Sequence, residues 1–253
     1  MLDIEKIHRD TVAIVTLNNL KKHNTLTRAF WPDFKALLVR LVKDGVRSIV
    51  LTGAGNHFCV GGDLESFSKL KDFGERRSYM AECITTFEAM EKSNLLIIAA
   101  VNGLALGGGC ELAFASDLVI ASSNAEFGLP EANFGLMPGF GAFRGAHILG
   151  GQWAKYLICA GQKISAAKAE KLGFVLEVVD PSEVVQRATE IACQISDRAP
   201  LAVSTCKAII NRDLDGGGFA HSIDVVAMLQ GTEDTAEGVR AFLEKRNPHF
   251  QGK

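Results

Sequence analysis

Apolar and β-branched residues crowd Val12-Ala13-Ile14-Val15-Thr16-Leu17 and stop at Asn18-Asn19, which predicts a strand. From Thr27 the period changes. Phe30, Phe34, Leu37, Leu38 and Leu41 recur at helical spacing, so a helix N-capped by Thr27 is expected to run to about Lys43. Pro32 falls inside it, so either the helix starts nearer Trp31 or its first turn is kinked. Residues 47–52 predict a second strand, ended by the turn signals Gly53, Gly55 and Asn56. After Gly61-Gly62-Asp63 a polar segment extends to about Arg77, and an amphipathic stretch follows through Met90. Residues 95–101 are apolar at every position, as expected of a parallel strand covered on both faces.

Downstream, residues 111–115 predict a helix and 118–121 a short strand. Beyond Gly150 the pattern is mainly helical, with one further strand at 175–179 and an interruption at Asp215-Gly216-Gly217-Gly218. Strands alternating with helices imply an α/β core followed by a helical tail, divided here into 1–195 and 196–253. No fixed-period repeat or low-complexity linker is visible.

Composition removes several function classes. The 253 residues carry a formal net charge of −2, which supplies no global attraction for a polyanion. The run at 95–101 is far short of the roughly 20 residues needed to cross a bilayer. The N-terminus, Met1-Leu2-Asp3-Ile4-Glu5-Lys6, has neither the apolar core of a secretory signal nor the arginines of a transit peptide. Cysteines at 59, 83, 110, 159, 193 and 206 form no CxxC pair and no zinc-like pattern with histidine. A reduced cytoplasmic protein with no metal and no bound cofactor is expected.

Two glycine-rich loops carry the candidate chemistry. In Asn102-Gly103…Gly107-Gly108-Gly109-Cys110-Glu111, three consecutive glycines stand where a strand meets a helix, so another group can approach the backbone closely. Free N–H groups at a helix start favour negative charge. A phosphate is one candidate, but Cys110-Glu111 stands where a nucleotide-binding loop needs Lys-Ser/Thr. An oxyanion growing on a carbonyl fits better, and a tight structural turn is the plain alternative. The second loop, Thr52-Gly53-Ala54-Gly55-Asn56-His57-Phe58-Cys59-Val60-Gly61-Gly62-Asp63-Leu64, has the same character. Glu111 and Glu131 each sit among apolar or small residues, where desolvation would raise a carboxyl pKa towards neutrality; a carboxylate that only binds backbone N–H groups is the alternative. Neither a GxSxG elbow nor a strand-linked GxGxxG with a following acid is present.

Taken together, Lys22-His23-Asn24, residues 50–64, residues 99–111, Phe127-Gly128-Leu129-Pro130-Glu131, Gly135-Leu136-Met137-Pro138-Gly139 and Phe242-Leu243-Glu244-Lys245-Arg246 resemble the enoyl-CoA hydratase/isomerase (crotonase) family. The resemblance runs along nearly the whole chain. It implies a spiral of ββα turns with C-terminal helices that assemble a trimer or a dimer of trimers. It also implies oxyanion donors at Gly62 and Gly108, acid/base glutamates at Glu111 and Glu131, and an acyl-CoA substrate. Lys22, Phe58, Val60, Asp63 and Leu64 fall where the family lines its CoA and acyl site, and Phe242 and Lys245 would reach it from the C-terminal helix.

The implied reaction is addition of water across the C2=C3 bond of a 2-enoyl-CoA, with Δ3,Δ2-enoyl-CoA isomerisation as the alternative. Departures occur at Phe143 and Arg144, where many relatives carry small or amide residues, and at Gly62, often alanine. A non-catalytic CoA- or RNA-binding relative is the reading from another class, motivated by Lys21, Lys22, Arg28, Lys35, Arg40 and Lys43. The overall charge and the lack of interleaved aromatics argue against RNA.

Overall fold

Successive residues of a strand face opposite ways, and here both faces of the central strands find apolar cover. The computed structural model describes residues 2–64, 66, 69–211, 232–234, 237, 241 and 244–253. Strands β1 (Leu2–Ile7), β2 (Val12–Leu17), β3 (Ser48–Gly53), β4 (Leu96–Val101), β6 (Leu118–Ser122) and β9 (Glu177–Val179) form one sheet in the order β1-β2-β3-β4-β6-β9. All pairings in it are parallel except β1 with β2. Strands β5 (Leu104–Leu106), β7 (Glu126–Gly128) and β8 (Lys163–Ser165) form a second, smaller sheet.

Ile49, Leu51, Ile97, Ala99 and Val101 face the main core. Val50, Ile98 and Ala100 face the other way and pack with Val184, Ala188 and Ala192 of helix α7 (Val184–Ser196). On the main-core side lie α1 (Phe30–Lys43), α2 (Phe73–Lys92) and α3 (Gly108–Ala115). Helices α4 (Gly139–Leu149), α5 (Gly151–Cys159) and α6 (Ala166–Lys171) follow, and α8 (Pro200–Ile210) comes after α7. The chain visits the large sheet, then the small sheet, then a helix: β4, β5, α3 is one such turn, and β6, β7, α4 is the next. The expected α/β architecture is present.

Several local expectations shift. Pro32 is the third residue of α1, inside the first turn, where its missing N–H costs no intrahelical bond. Thr27 is not the N-cap. Ala29 holds that position without a side-chain bond, and the Thr27 carbonyl accepts from Phe30 N at 3.0 Å. Helix α2 already begins at Phe73, because the Asp72 carboxylate accepts from Glu75 N at 2.9 Å; its polar first turns simply face solvent. Helix α3 starts at Gly108, three residues before the expected start at residue 111. Strand β1 is unforeseen. It is an edge strand whose middle residues are exposed, so no apolar period marks it.

The tail is tied to the core by one buried cation. Lys207 of α8 is 4% exposed, and its Nζ donates to Met90 O, Leu95 O and Asp117 Oδ2 at 2.7–2.8 Å. The interruption expected at residues 215–218 lies outside the described residues.

Candidate active site

Strands β3 and β4 end side by side, and two asparagines hold the loop that follows β3. Asn102 Nδ2 donates to Gly53 O and Gly55 O, both at 2.8 Å. Asn24, at φ 62° and fully buried, donates from Nδ2 to Ala54 O and His57 O at 2.9 and 2.8 Å. The chain then runs as a strand-like stub against β5: Cys59 N donates to Leu104 O at 3.0 Å, and Leu106 N donates to Cys59 O at 2.9 Å. On its other side Leu26 N donates to Gly61 O and Asp63 N to Leu26 O, at 2.8 and 3.0 Å. This ladder leaves the Gly62 N–H without a protein acceptor among the described residues.

The second loop is built to meet the first. Gly107 N donates to Gly128 O at 2.9 Å, and Gly107 turns at φ 52°, ψ −126°, a conformation open to glycine. Gly108 is therefore the first residue of α3, and its N–H is one of the helix's orphan donors. A β-carbon on Gly109 would stand 2.1 Å from Cys59 O, so only glycine lets the stub pass this close. A β-carbon on Gly108 would stand 3.7 Å from Gly62 N, and one on Gly61 would stand 3.7 Å from Gly108 N. The two expected donors are thus neighbours, one of them at the positive end of a helix. Such a pair suits an oxygen that gains negative charge during reaction.

Glu111 rides on the first turn of α3 and is 7% exposed. Its Oε1 accepts from Phe140 N at 3.0 Å and from Gly141 N at 2.7 Å, the first-turn donors of α4. Burial raises its pKa, and those two N–H groups oppose the rise. Glu131 sits in the 3₁₀ turn Pro130–Phe134 that follows β7. Its Oε2 is buried with no hydrogen-bond partner among the described residues, and its Oε1 would stand 3.0 Å from a β-carbon on Gly107. Burial, then the nearby charge of Glu111, pushes its carboxyl up to about 7. The structure therefore gathers Gly62, Gly108, Glu111 and Glu131 around the junction of the two loops. One carboxyl is clamped on a helix end and the other is poised to hold or release a proton near neutrality.

The remaining expected residues divide. Lys22 Nζ pairs with Asp63 Oδ1 at 3.3 Å beside Gly62, with the lysine half exposed and the aspartate mostly buried. Val60 is partly open and Leu64 is exposed. Phe58 is wholly buried in the main core, so the structure does not bring its side chain to the site as expected. Lys245 is exposed on the C-terminal segment, and none of its described contacts reaches either glycine loop. Phe242 lies outside the described residues. Sequence reasoning missed Asn102 and the Phe140 and Gly141 N–H groups as supports of the site. The glycines at 139 and 141 beside Pro138 were the available signal. A cavity of about 950 Å³, lined by Phe114, Asp117, Arg144 and Lys207 among others, includes neither glycine loop.

Comparison with known proteins supplies the family. The enoyl-CoA hydratase/isomerase family profile matches residues 8–253. The chain belongs to that family. It is similar to a short-chain-enoyl-CoA hydratase of Clostridium acetobutylicum, 38% identical over 93% of this chain and 92% of the relative. It is also similar to a crotonyl-CoA hydratase of Syntrophomonas wolfei, 35% identical over 96% of each. The crystal structure of an enoyl-CoA hydratase from Bacillus anthracis superposes with a TM-score of 0.92 at 33% identity, covering 100% of this chain and 99% of that one. The ββα turns of the family fold are therefore the architecture seen here.

Proposed function

We propose that this chain is an enoyl-CoA hydratase that adds water across the C2=C3 bond of a 2-enoyl-CoA. The observation that carries the reading is a buried carboxyl, Glu111, and a part-buried one, Glu131, whose Oε2 is buried, beside two free backbone N–H groups. The thioester oxygen accepts from Gly62 N–H and Gly108 N–H, and these stabilise the enolate as charge moves onto it. Glu111, oriented through Oε1, takes a proton from water as the oxygen bonds to C3. Glu131 enters protonated, a state that its pKa of about 7 supplies at neutral pH, and gives its proton to C2. Proton transfer between the carboxyls and solvent then restores the starting state. No cofactor takes part in these steps.

Lys22, Val60, Asp63 and Leu64 are proposed to border the CoA and acyl portions, with Lys245 as a further CoA contact. Exposed Phe134, Leu136, Met137 and Phe143 support the further proposal that copies associate as a trimer or dimer of trimers. Six unpaired cysteines support a reducing, cytoplasmic setting. No described helix is long and apolar enough to cross a membrane.

The purified protein, given crotonyl-CoA in ¹⁸O-water, is expected to lose the conjugated thioester absorbance and to place one ¹⁸O at C3. Double-bond migration of a 3-enoyl-CoA without ¹⁸O uptake would instead indicate an isomerase. The absence of any reaction with 2- or 3-enoyl-CoA would overturn the enzymatic reading.

A further inference from the structure

The Glu111 carboxyl is held at Oε1 by two N–H groups from the first turn of α4, so its aim depends on where α4 sits and how it is rotated. Helix α4 meets α2 through contacts that advance along both helices together. A β-carbon on Gly139 would stand 3.2 Å from Ile84 Cδ1. The Phe140 ring packs on that of Phe87, with centroids 4.8 Å apart. Four residues further along each helix, Arg144 Nη2 donates to Glu91 Oε2 at 2.7 Å. The post on α2 is itself fixed. Met90 O accepts from Lys207 Nζ at 2.8 Å, and Glu91 O accepts from Asn211 Nδ2 at 3.1 Å.

The neighbouring face of α4 offers nothing directional. Gly141 and Gly145 present bare backbone one turn apart: a β-carbon on the first would stand 3.0 Å from Leu129 Cδ1, and one on the second 3.4 Å from Phe114 Cε2. Apolar contacts of this kind set a separation, whereas a hydrogen-bonded ion pair also sets a direction. Among the described residues, the polar side chains that reach α4 from other elements are Glu111 at its first turn and Glu91 one turn later. The side chains of Glu91 and Arg144 are 15% and 21% exposed, so salt and water screen the pair only weakly. Largely buried ion pairs are better attested as setters of register than as sources of stability.

Resting on the hydratase reading, we propose that Arg144 and Glu91 are positioning residues: their pair locks the register of α4 on α2 and so keeps the Phe140 and Gly141 N–H groups aimed at Glu111. Arg144 stands where many relatives carry a small or amide side chain, so the pair does not follow from the family pattern. Neither residue transfers a proton. The lock nevertheless has a sign that kinetics can read. Glu111 takes a proton from water as a carboxylate; burial raises its pKa, and the two N–H groups oppose that rise. The other titratable groups that face it are Glu131, Cys83 and Cys110, none of them on α4. A slip of α4 lengthens the two bonds, and Glu111 then keeps its proton to a higher pH.

The test is the pH profile of crotonyl-CoA hydration in wild type, Arg144→Met and Arg144→Lys, with thermal unfolding measured beside it. Arg144→Met is expected to lose about tenfold or more in kcat, with KM within about twofold because the Gly62 and Gly108 donors are untouched. The fall of its kcat/KM towards acid should begin about one pH unit higher than in wild type. Arg144→Lys keeps a cation for what is a single Nη2–Oε2 contact, and should recover most of the kcat and the wild-type acid limb. Should Arg144→Met not fold, Glu91→Gln keeps the shape, removes the charge and is expected to move the acid limb the same way. A folded methionine or glutamine variant with the wild-type acid limb would overturn this inference, whatever its stability, and leave the hydratase reading intact. Equal losses in the lysine and methionine variants would overturn it too. No hydration by wild type at any pH would overturn the parent reading and this inference together.

Discussion

Glu131 and Gly107 are packed so closely that a β-carbon on the glycine would lie 3.0 Å from the carboxyl Oε1 and 3.7 Å from its Cδ. The general acid of the proposed reaction is therefore positioned against bare backbone. Gly107 also turns at positive φ, so a side chain there meets strain and contact at once.

Gly107→Ala is expected to displace Glu131 and the start of α3 together. Hydration kcat should fall by ~10²-fold or more, since small misplacements of a reacting group have costs of that order. Steady-state kinetics beside a circular dichroism spectrum will separate this from unfolding; an alanine variant with wild-type kcat would refute the packing argument.

Glu111→Gln and Glu131→Gln should each lower hydration kcat by about 10²–10⁴-fold. The amide at 111 can still accept from Phe140 and Gly141, so that variant should keep its fold and its substrate affinity. Full activity of either variant would remove that residue from the mechanism.

Hydration uses Glu131 in its protonated form, whose pKa is about 7. The value of kcat/KM should therefore decline about tenfold per pH unit once the pH rises past about 7. The reverse dehydration starts with the same single proton, now carried by Glu111, so its kcat/KM should show the same decline above about pH 7. A pH profile for hydration that keeps rising through pH 8 would contradict the assignment.

The same shift has a thermodynamic side. Glu131 is raised in the native state above the ordinary glutamate value, so the folded chain holds an extra proton between about pH 4.5 and 7. Its contribution to stability is fully present below that window and is lost as pH rises through the folded pKa. Glu131→Gln should then be more stable than wild type near pH 8, by about 2 kcal/mol, with the gap closing near pH 4. Urea titrations at the two pH values measure it.

Lys207→Met should leave Asp117 buried without its cation and destabilise the fold by about 3–5 kcal/mol. Pairing it with Asp117→Asn should recover part of that loss. Equal stability of the single and double variants would show that the ion pair contributes nothing.

What could be read in advance followed from local pattern. Strands β2, β3 and β4 and helix α1 announce themselves because each must hide one apolar face or two. Strand β1 stays hidden because its middle residues face water, and the three-residue strands β5, β7 and β8 are too short to show any period. In the site, glycines and isolated glutamates were visible as residue types. The supports at Asn102, Phe140 and Gly141 were not, since their roles arise from contacts across 29–49 residues of chain. Phe58 shows the converse: a residue within a telling motif is packed wholly into the core.

The width of the gap between Gly62 N–H and Gly108 N–H is set by main-chain ladder bonds of Cys59 with β5 and of Leu26 with Gly61 and Asp63. Every amino acid except proline carries these main-chain groups, so the spacing of the donors does not depend on the side-chain chemistry of Leu26 or Asp63, whereas Gly61, at φ 107°, is best kept as glycine. A lineage built on this scaffold can exchange its glutamates, and with them its reaction, while the pair of N–H donors proposed to hold the thioester is inherited intact.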